Sequence, residues 1–313
     1  MTISNTTQLA ELIDRVWQPN FVSLLARDDF MMKRFPKISG AGDGIRWKVQ
    51  ADDTNTGAAS YSEGDSLPTA VGHKFLDARL TWRYNWVPIE VTGQMQAQAS
   101  GKGGFEGYRD IVATETEQSV LDLKNNINTQ LLQTSLAAAT DIDGIGIGVK
   151  DSTSYAGIDP ATYTEWAADV NSTGGALTIA IMQDCKTTAE DTPRFGNISV
   201  ITTTPTLWNS YGNLIQSQRR FMKGETLDGG FMALDFEGVP VVKVPNHVTQ
   251  RMYFLTEKDK KGQAVFQYVT LQPFKTLDKS QGAADSLRFL VTNYSNFQVR
   301  NRKVHSYATG LTS

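Results

Sequence analysis

The order of apolar and polar positions divides the chain into segments of different period. In residues 7–17, QLAELIDRVWQ, the apolar residues Leu9, Leu12, Ile13, Val16 and Trp17 recur at i, i+3, i+4, i+7 and i+8. That spacing predicts a one-faced helix ending before Pro19. Phe21, Leu24, Leu25, Phe30, Met31 and Met32 prolong an apolar arm to Phe35-Pro36, and a glycine-rich break covers Ser39 to Gly44. The apolar side of the helix can be covered in two ways, by its own domain or by a neighbouring subunit.

From Ile45 the period is that of a strand. IRWKV, a polar stretch from Ala51 to Gly72, and a return strand from Phe75 to Val91 rich in aromatic and β-branched residues predict a long hairpin with a polar tip. The tip carries Asp52, Asp53, Glu63 and Asp65, and no basic residue stands between Ala51 and Lys74. A loop of this length is either a solvated connection or a functional segment. Trp82, Tyr84 and Trp86 are expected to give the ribbon beneath it an apolar surface, since a ribbon of two strands is marginal alone.

After Gly101, Gly103, Gly104 and Gly107, the residues Tyr108, Ile111, Val112, Ser119, Val120, Leu123, Ile127 and Leu131 follow one helical face. They predict a single helix over 105–136, roughly 48 Å long at about 1.5 Å per residue. Residues 141–260 then alternate helix and strand signals. Asp159-Pro160 predicts an N-cap and a helix through Tyr163 and Trp166, and Thr204-Pro205 repeats the device before Leu207, Tyr211, Leu214 and Ile215. Ile179, Met182, Cys185 and Ala189 share a helical face. Strands are expected at Ile198–Thr203, Phe231–Phe236, Val239–Val244 and Met252–Leu255, with Glu237-Gly238 as a hairpin turn. The last segment, Ala264 to Leu311, has strand character again.

Composition narrows the function. The 313 residues are 40% hydrophobic and 20% charged, ordinary for a globular chain, and no apolar run approaches the ~20 residues that span a bilayer. With 30 Lys+Arg against 33 Asp+Glu, the net charge of -3 does not provide the positive field of a free nucleic-acid binder. One cysteine, Cys185, rules out an internal disulfide, and His73, His247 and His305 have no metal-ligand spacing.

Motifs of chemistry fail on spacing. GIGIGV at 144–149 is GxGxG without a following helix start or a downstream acid, and GKGGFEG at 101–107 lacks the GK[ST] ending, so it reads as a hinge. Asp141, Asp143 and Gly144 begin like a calcium loop, but Ser152 stands where its closing glutamate belongs. No GxSxG elbow is present, and Cys185 on an apolar face reads as core. Two basic groups remain. Arg219, Arg220 and Lys223 end a predicted helix, where they can be dipole partners. Arg300 and Arg302, with Lys303, alternate onto one face of a strand, where they either solubilise an edge or meet an acidic partner.

The strings YAGIDPATYTEW (Tyr155 to Trp166), ITTTPTLWNSY (Ile201 to Tyr211), QRRF (Gln218 to Phe221), FEGVPVV (Phe236 to Val242) and MYFL (Met252 to Leu255) stand in this order behind an acidic-tipped ribbon and a long helix. In that combination nearly the whole chain resembles the major capsid proteins of tailed bacteriophages, the shell fold named after phage Hong Kong ninety-seven. The resemblance implies an α+β fold with an N-terminal arm (1–44) and an extended β-hairpin loop (45–92). It further implies a peripheral domain (93–140 and 263–313) on the spine helix 105–136, and an α/β axial domain (141–262).

The implied function is structural, without catalysis, cofactor or metal. Copies would form hexamers and pentamers of an icosahedral shell in the virion capsid, assembled in the host cytoplasm, usually through a procapsid that expands. The shell would enclose double-stranded DNA without sequence-specific binding and without a membrane. A portal and a decoration protein are the further partners the resemblance allows. The 44 residues before the ribbon are too few for a fused scaffolding domain of ~50–200 residues, so a separate scaffolding protein is expected. No lysine–asparagine crosslink can be placed on the chain.

Ring closure needs heterologous contacts. For these, Asp52, Asp53, Glu63 and Asp65 are expected to meet Arg300, Arg302 and Lys303 of an adjacent copy, and the face Leu9, Leu12, Ile13, Val16 and Trp17 to lie across a neighbour. Two other readings are a cellular encapsulin compartment, which shares the fold and holds cargo enzymes, and a soluble α/β enzyme.

Overall fold

The structure, a computed structural model, describes residues 30–50, 60–66, 73–94, 97, 105–191, 194–215, 225–226, 232–260, 262–279 and 286–312. Outside them lie the predicted helix face Leu9, Leu12, Ile13, Val16 and Trp17, the tip residues Asp52 and Asp53, and Arg219, Arg220 and Lys223.

Helix α1 (Phe30–Arg34) buries Met31 and Met32 and leads to Phe35, whose ring meets Phe266 and Phe297 at 5.1 and 5.3 Å between centroids. The end of the apolar arm is therefore covered by its own domain. Strand β1 (Lys37–Ser39) follows, and then β2 (Ile45–Gln50) and β3 (Phe75–Leu80) pair antiparallel from Ile45↔Leu80 to Gln50↔Phe75, the expected hairpin.

The return strand is not continuous. It breaks at Thr81 and Trp82, and β4 (Arg83–Thr92) leaves the ribbon for another sheet. Trp82 anchors the break: it is buried, its indole N–H donates to the Gly42 carbonyl at 2.9 Å, and a Cβ on Gly40 would overlap the ring. Tyr84 and Trp86 consequently do not brace the ribbon, contrary to the sequence-based expectation.

Helix α2 (Phe105–Leu132) has 28 residues, about 42 Å at ~1.5 Å per residue. Ser119, Leu123, Ile127 and Leu131 are buried, as the period predicts. It ends short of residue 136 because the Gln133 N–H turns back to the Gln130 carbonyl at 3.3 Å. The Asp141 carboxylate then accepts the N–H groups of Ala137 and Ala138 at 3.1 and 3.0 Å, which fixes a turn in place of a further helical one. Helix α3 (Ile145–Gly148) is the glycine run, fully buried. A Cβ on Gly144 or Gly146 would overlap the carbonyls of Leu131 or Gln133, and one on Gly148 the Val299 side chain. The GxGxG spacing is thus a device for close backbone packing against the end of α2.

The next segment corrects a predicted helix. Tyr155 and Ile158 exchange two backbone hydrogen bonds around Ala156 and Gly157, whose φ angles of 55° and 80° make a type I′ turn. The Asp159 carbonyl accepts the N–H groups of Thr162 and Tyr163, and its carboxylate that of Ala161. This cap is not propagated, and only a 3₁₀ turn, Thr164–Trp166, follows. Trp166 is buried and donates its indole N–H to the Tyr155 carbonyl at 3.3 Å, which draws the chain back beneath the turn where a helix would carry it away.

The rest of the middle segment contains β5 (Asp169–Asn171), β6 (Gly175–Ala176), α4 (Ile179–Glu190), β7 (Val200–Thr203), α5 (Pro205–Leu214), β8 (Glu225–Thr226), β9 (Met232–Phe236), β10 (Val239–Lys243) and β11 (Arg251–Leu255). Thr178 and Thr204 cap the two helices, each hydroxyl accepting a backbone N–H, from Ile181 and Leu207, at 3.3 Å. Glu237-Gly238, with φ of 50° and 81°, forms the expected turn between β9 and β10. Then come β12 (Phe266–Lys279), β13 (Ser286–Val299), β14 (Ser306–Thr309) and β15 (Leu311–Thr312).

Two main sheets result, with strand orders β1-β12-β13-β4 and β5-β14-β11-β7-β10-β9-β8. Helix α2 packs on β4 and β13. The segment 263–313 is therefore divided: β12 and β13 stay with the long helix, whereas β14 is inserted between β5 and β11 of the other sheet. Alternation along those strands separates two cores. Ile201, Val241, Met252, Phe254 and Ala308 face α4 and α5, while Val200, Val242, Tyr253, Leu255 and Tyr307 face the core shared with α2, β12 and β13.

Candidate assembly surfaces

The ribbon presents one apolar and one charged face because its residues alternate. Ile45, Trp47, Val49, Leu76, Ala78 and Leu80 point towards the body, whereas Arg46, Lys48, Asp77 and Arg79 are exposed. The exposed charges pair among themselves: Lys48 with Asp77 at 2.5 Å, and Asp43 with Arg79 and Arg46 at 2.9 and 3.2 Å. Nearer the tip, Asp65 closes a turn by accepting the Ser62 N–H at 2.8 Å. Glu63 and Asp65 are exposed and make no ion pair among the described residues, and Tyr61 beside them is 69% exposed.

The basic group expected to meet this tip is not one surface. β13 ends at Val299, so Arg300 and Arg302 do not alternate along a strand. Arg302 is completely buried. Its guanidinium donates to the carbonyls of Gly148 at 2.7 Å, Thr153 at 3.0 Å and Lys150, and lies 5.6 and 5.9 Å from the ring centres of Tyr155 and Trp166. Burial pushes its pKa down to about 10, still leaving it charged at neutral pH. Arg302 is accordingly an internal strut. Lys303 pairs with Glu165 of the same chain. Arg300 alone of the three is partly exposed and free of an ion pair among the described residues.

Two features were missed by sequence reasoning. Tyr84 and Trp86, 58% and 59% exposed, form an aromatic outer face on β4, with Tyr294 edge-on to Tyr84 at 4.9 Å. Their alternation with Asn85 was the available signal. Arg83 clasps Asp143 with contacts of 3.0–3.1 Å, and Asn296 donates to the same carboxylate at 2.8 Å. This network joins β4, the turn after α2 and β13, and no local pattern announces it.

Two groups that could support chemistry, Cys185 and His247, are taken up by the structure. Cys185 is buried, and desolvation pushes its thiol up to about 12. Among the described residues, no group of three or more His, Cys, Asp or Glu could hold a metal ion. A cleft of ≈ 370 Å³ opens at the start of α5 beside Thr204, Thr206, Pro245, His247 and Gln250. His247 lies at its floor with both ring nitrogens engaged, by the Val248 carbonyl at 2.9 Å and the Thr202 hydroxyl at 3.3 Å.

His247 and His305 supply a pH prediction. Burial pushes their pKa values down from 6.5 to about 4 and about 3. Above pH 6.5 neither the folded nor the unfolded chain binds these protons, so stability is insensitive to them. As pH falls below 6.5 towards 4, the unfolded chain takes up protons that the folded chain refuses, and stability is lost. Calorimetric unfolding midpoints should be level above that window and fall steadily through it. A midpoint constant across the window would refute the burial argument.

No protein-family model matches the chain, and no curated protein does. Solved structures do. The chain is similar to the capsid subunit of cyanophage A-1(L), at 16% identity and TM-score 0.76, over 99% of this chain and 100% of the other. It is similar to the capsid of a native GTA particle at 10% identity and TM-score 0.68, over 99% and 100%. It also resembles the holo-SrpI encapsulin of Synechococcus elongatus PCC 7942, at 8% identity and TM-score 0.66, over 99% and 96%. The fold is the one found in the capsid subunits of tailed phages, a mixed α+β shell fold.

Proposed function

We propose that the chain is a non-enzymatic shell subunit of a tailed phage, assembling with copies of itself into hexamers and pentamers of an icosahedral capsid around double-stranded DNA. The observation that carries this reading is the match to the cyanophage A-1(L) capsid over 99% of this chain and 100% of that one. A separate scaffold, a portal and a decoration protein are the partners this role calls for, with assembly in the host cytoplasm and a final place in the virion. Residues 1–44 would be the arm and 45–82 the extended loop; β4, which joins the sheet of β12 and β13, would belong with α2 to the peripheral part instead of the loop, and 141–262 with β14 and β15 would be the axial part. The near-neutral net charge of -3 suits a wall that must later release its genome, since each neutralised phosphate adds salt-dependent affinity.

The encapsulin match favours one other reading, a cellular compartment filled with protein cargo. Negative-stain microscopy of the expressed chain, with the nucleic-acid content of any particles, tests both. Shells, tubes or hexameric rings are expected. Uniform monomers across salt and concentration would sink the shell reading, and protein-filled, nucleic-acid-free particles from the native source would favour the compartment.

Within this reading the acidic tip meets an adjacent copy, with Arg300 the remaining member of the original basic group. Reversal of Glu63 and Asp65 to lysine should raise the protein concentration needed for assembly and weaken its salt dependence. An exposed pair contributes only about 0.2–1 kcal/mol, but the contact repeats in every subunit. Light-scattering assembly curves that superimpose on the wild type at all salt concentrations would exclude the tip as a contact.

A further inference from the structure

The ribbon does not stand free at its base. We infer that residues 155–166 form a cradle that fixes the direction in which the ribbon leaves the body, with Trp47 and Tyr163 as positioning residues for contacts between subunits. The inference rests on the shell reading.

Beyond the buried Ile45, Ala78 and Leu80, polar contacts tie the ribbon to the body. The Arg79 N–H donates to the Ala156 carbonyl at 2.9 Å, the Trp47 indole N–H donates to the Arg300 carbonyl at 3.3 Å, and Lys74 Nζ lies 4.9 Å from the Tyr163 ring centre. Between Val49 and Leu76 of the ribbon and Ile158, Tyr163 and Trp166 of the cradle remains a cavity of only ≈ 20 Å³, room for a single water. The fit is close, and only one ribbon face can make it, since the opposite face carries the self-paired charges of Asp43, Arg46, Lys48, Asp77 and Arg79.

The two sides of the contact differ in stiffness. The cradle is held by its type I′ turn, by the Trp166 bond to Tyr155, by the Lys303–Glu165 pair and by Arg302 beneath it. The ribbon is anchored in the core at its base by Ile45, Ala78 and Leu80, and beyond that it is held by hydrogen bonds from Arg79 and Trp47 and by the half-buried side chains of Trp47, Val49 and Leu76. Beyond the core-anchored base, the half-buried contact at Trp47, Val49 and Leu76 acts as a hinge stop that selects one inclination. The inclination sets how far the ribbon reaches across a neighbour, and through that the angle between subunits.

The test uses the full chain with Trp47→Phe, which removes the indole donor and part of its packing while keeping an aromatic ring, and Tyr163→Ala. Hydrogen exchange on unassembled protein should show the Arg79 amide exchanging about tenfold faster in both variants, with β13 amides unchanged. Micrographs of assembled material should show one particle diameter for the wild type and a mixture for the variants. If Tyr163→Ala fails to fold, Trp47→Phe alone decides. Unchanged Arg79 exchange overturns the cradle, and faster exchange with a single, unaltered diameter overturns its role in direction; in both cases wild-type particles leave the shell reading intact. A wild type that forms no particles sinks the shell reading and this inference together.

Discussion

Replacing Arg302 by alanine is expected to cost about 3 kcal/mol or more of stability, because three backbone carbonyls, of Gly148, Lys150 and Thr153, lose their donor together. A buried acceptor left unpaired costs about 1–3 kcal/mol, a range that fits the Gly148 carbonyl, while the partly buried carbonyls of Lys150 and Thr153 lose less. The faces of Tyr155 and Trp166 also lose the cation against them. Arg302→Lys should recover little, because an ammonium is a point donor and cannot span three carbonyls as a planar fork does. Arg300→Ala, two residues away and partly exposed, should change stability by no more than about 0.5 kcal/mol. Urea unfolding of the three variants checks the ranking, and equal midpoints for Arg302→Ala and Arg300→Ala would remove Arg302 from its role as a strut.

Gly146→Ala is expected to be comparably severe, about 3 kcal/mol or more. Adding a methylene to a packed core typically costs about 1–3 kcal/mol when neighbouring side chains can adjust. Here the obstacle is the backbone of Leu132 and Gln133 at the end of α2, which cannot move without displacing the helix. Gly42→Ala is the matched control. Gly42 has φ of 86° and nothing within 4 Å of an added Cβ, so only the left-handed backbone penalty of about 1–2 kcal/mol applies. Thermal unfolding that ranked Gly42→Ala as the more damaging change would show that the glycine run does not serve close packing.

These variants mark where sequence and structure part. The hairpin, the long helix, the helix caps at Thr204 and the turn at Glu237-Gly238 were legible because each is specified by neighbours within a few residues, through period, cap or turn chemistry. The cap at Asp159 was legible too, yet its helix was not built, since a buried Trp166 bonded to Tyr155 outweighed the local preference. Period also placed Trp82, Tyr84 and Trp86 on one strand, whereas burial of Trp82 against Gly40 divides that strand between two sheets.

Of the expected contact residues, Glu63 and Asp65 are exposed, and Arg302 is enclosed although its spacing from Arg300 suggested a shared surface. A strand face can be assigned from alternation only while the strand continues, and this one ends at Val299. What the sequence determined by itself was therefore the order and type of most elements and the lack of any spacing suited to catalysis, all properties of short stretches of chain. Only the tertiary structure decided that GxGxG is a packing surface, that β14 crosses into the second sheet, and that the most deeply buried arginine supports the carbonyls of residues 148–153. Those outcomes depend on contacts between residues from 13 to more than 150 positions apart, beyond the reach of local pattern, where burial and backbone hydrogen bonding decide.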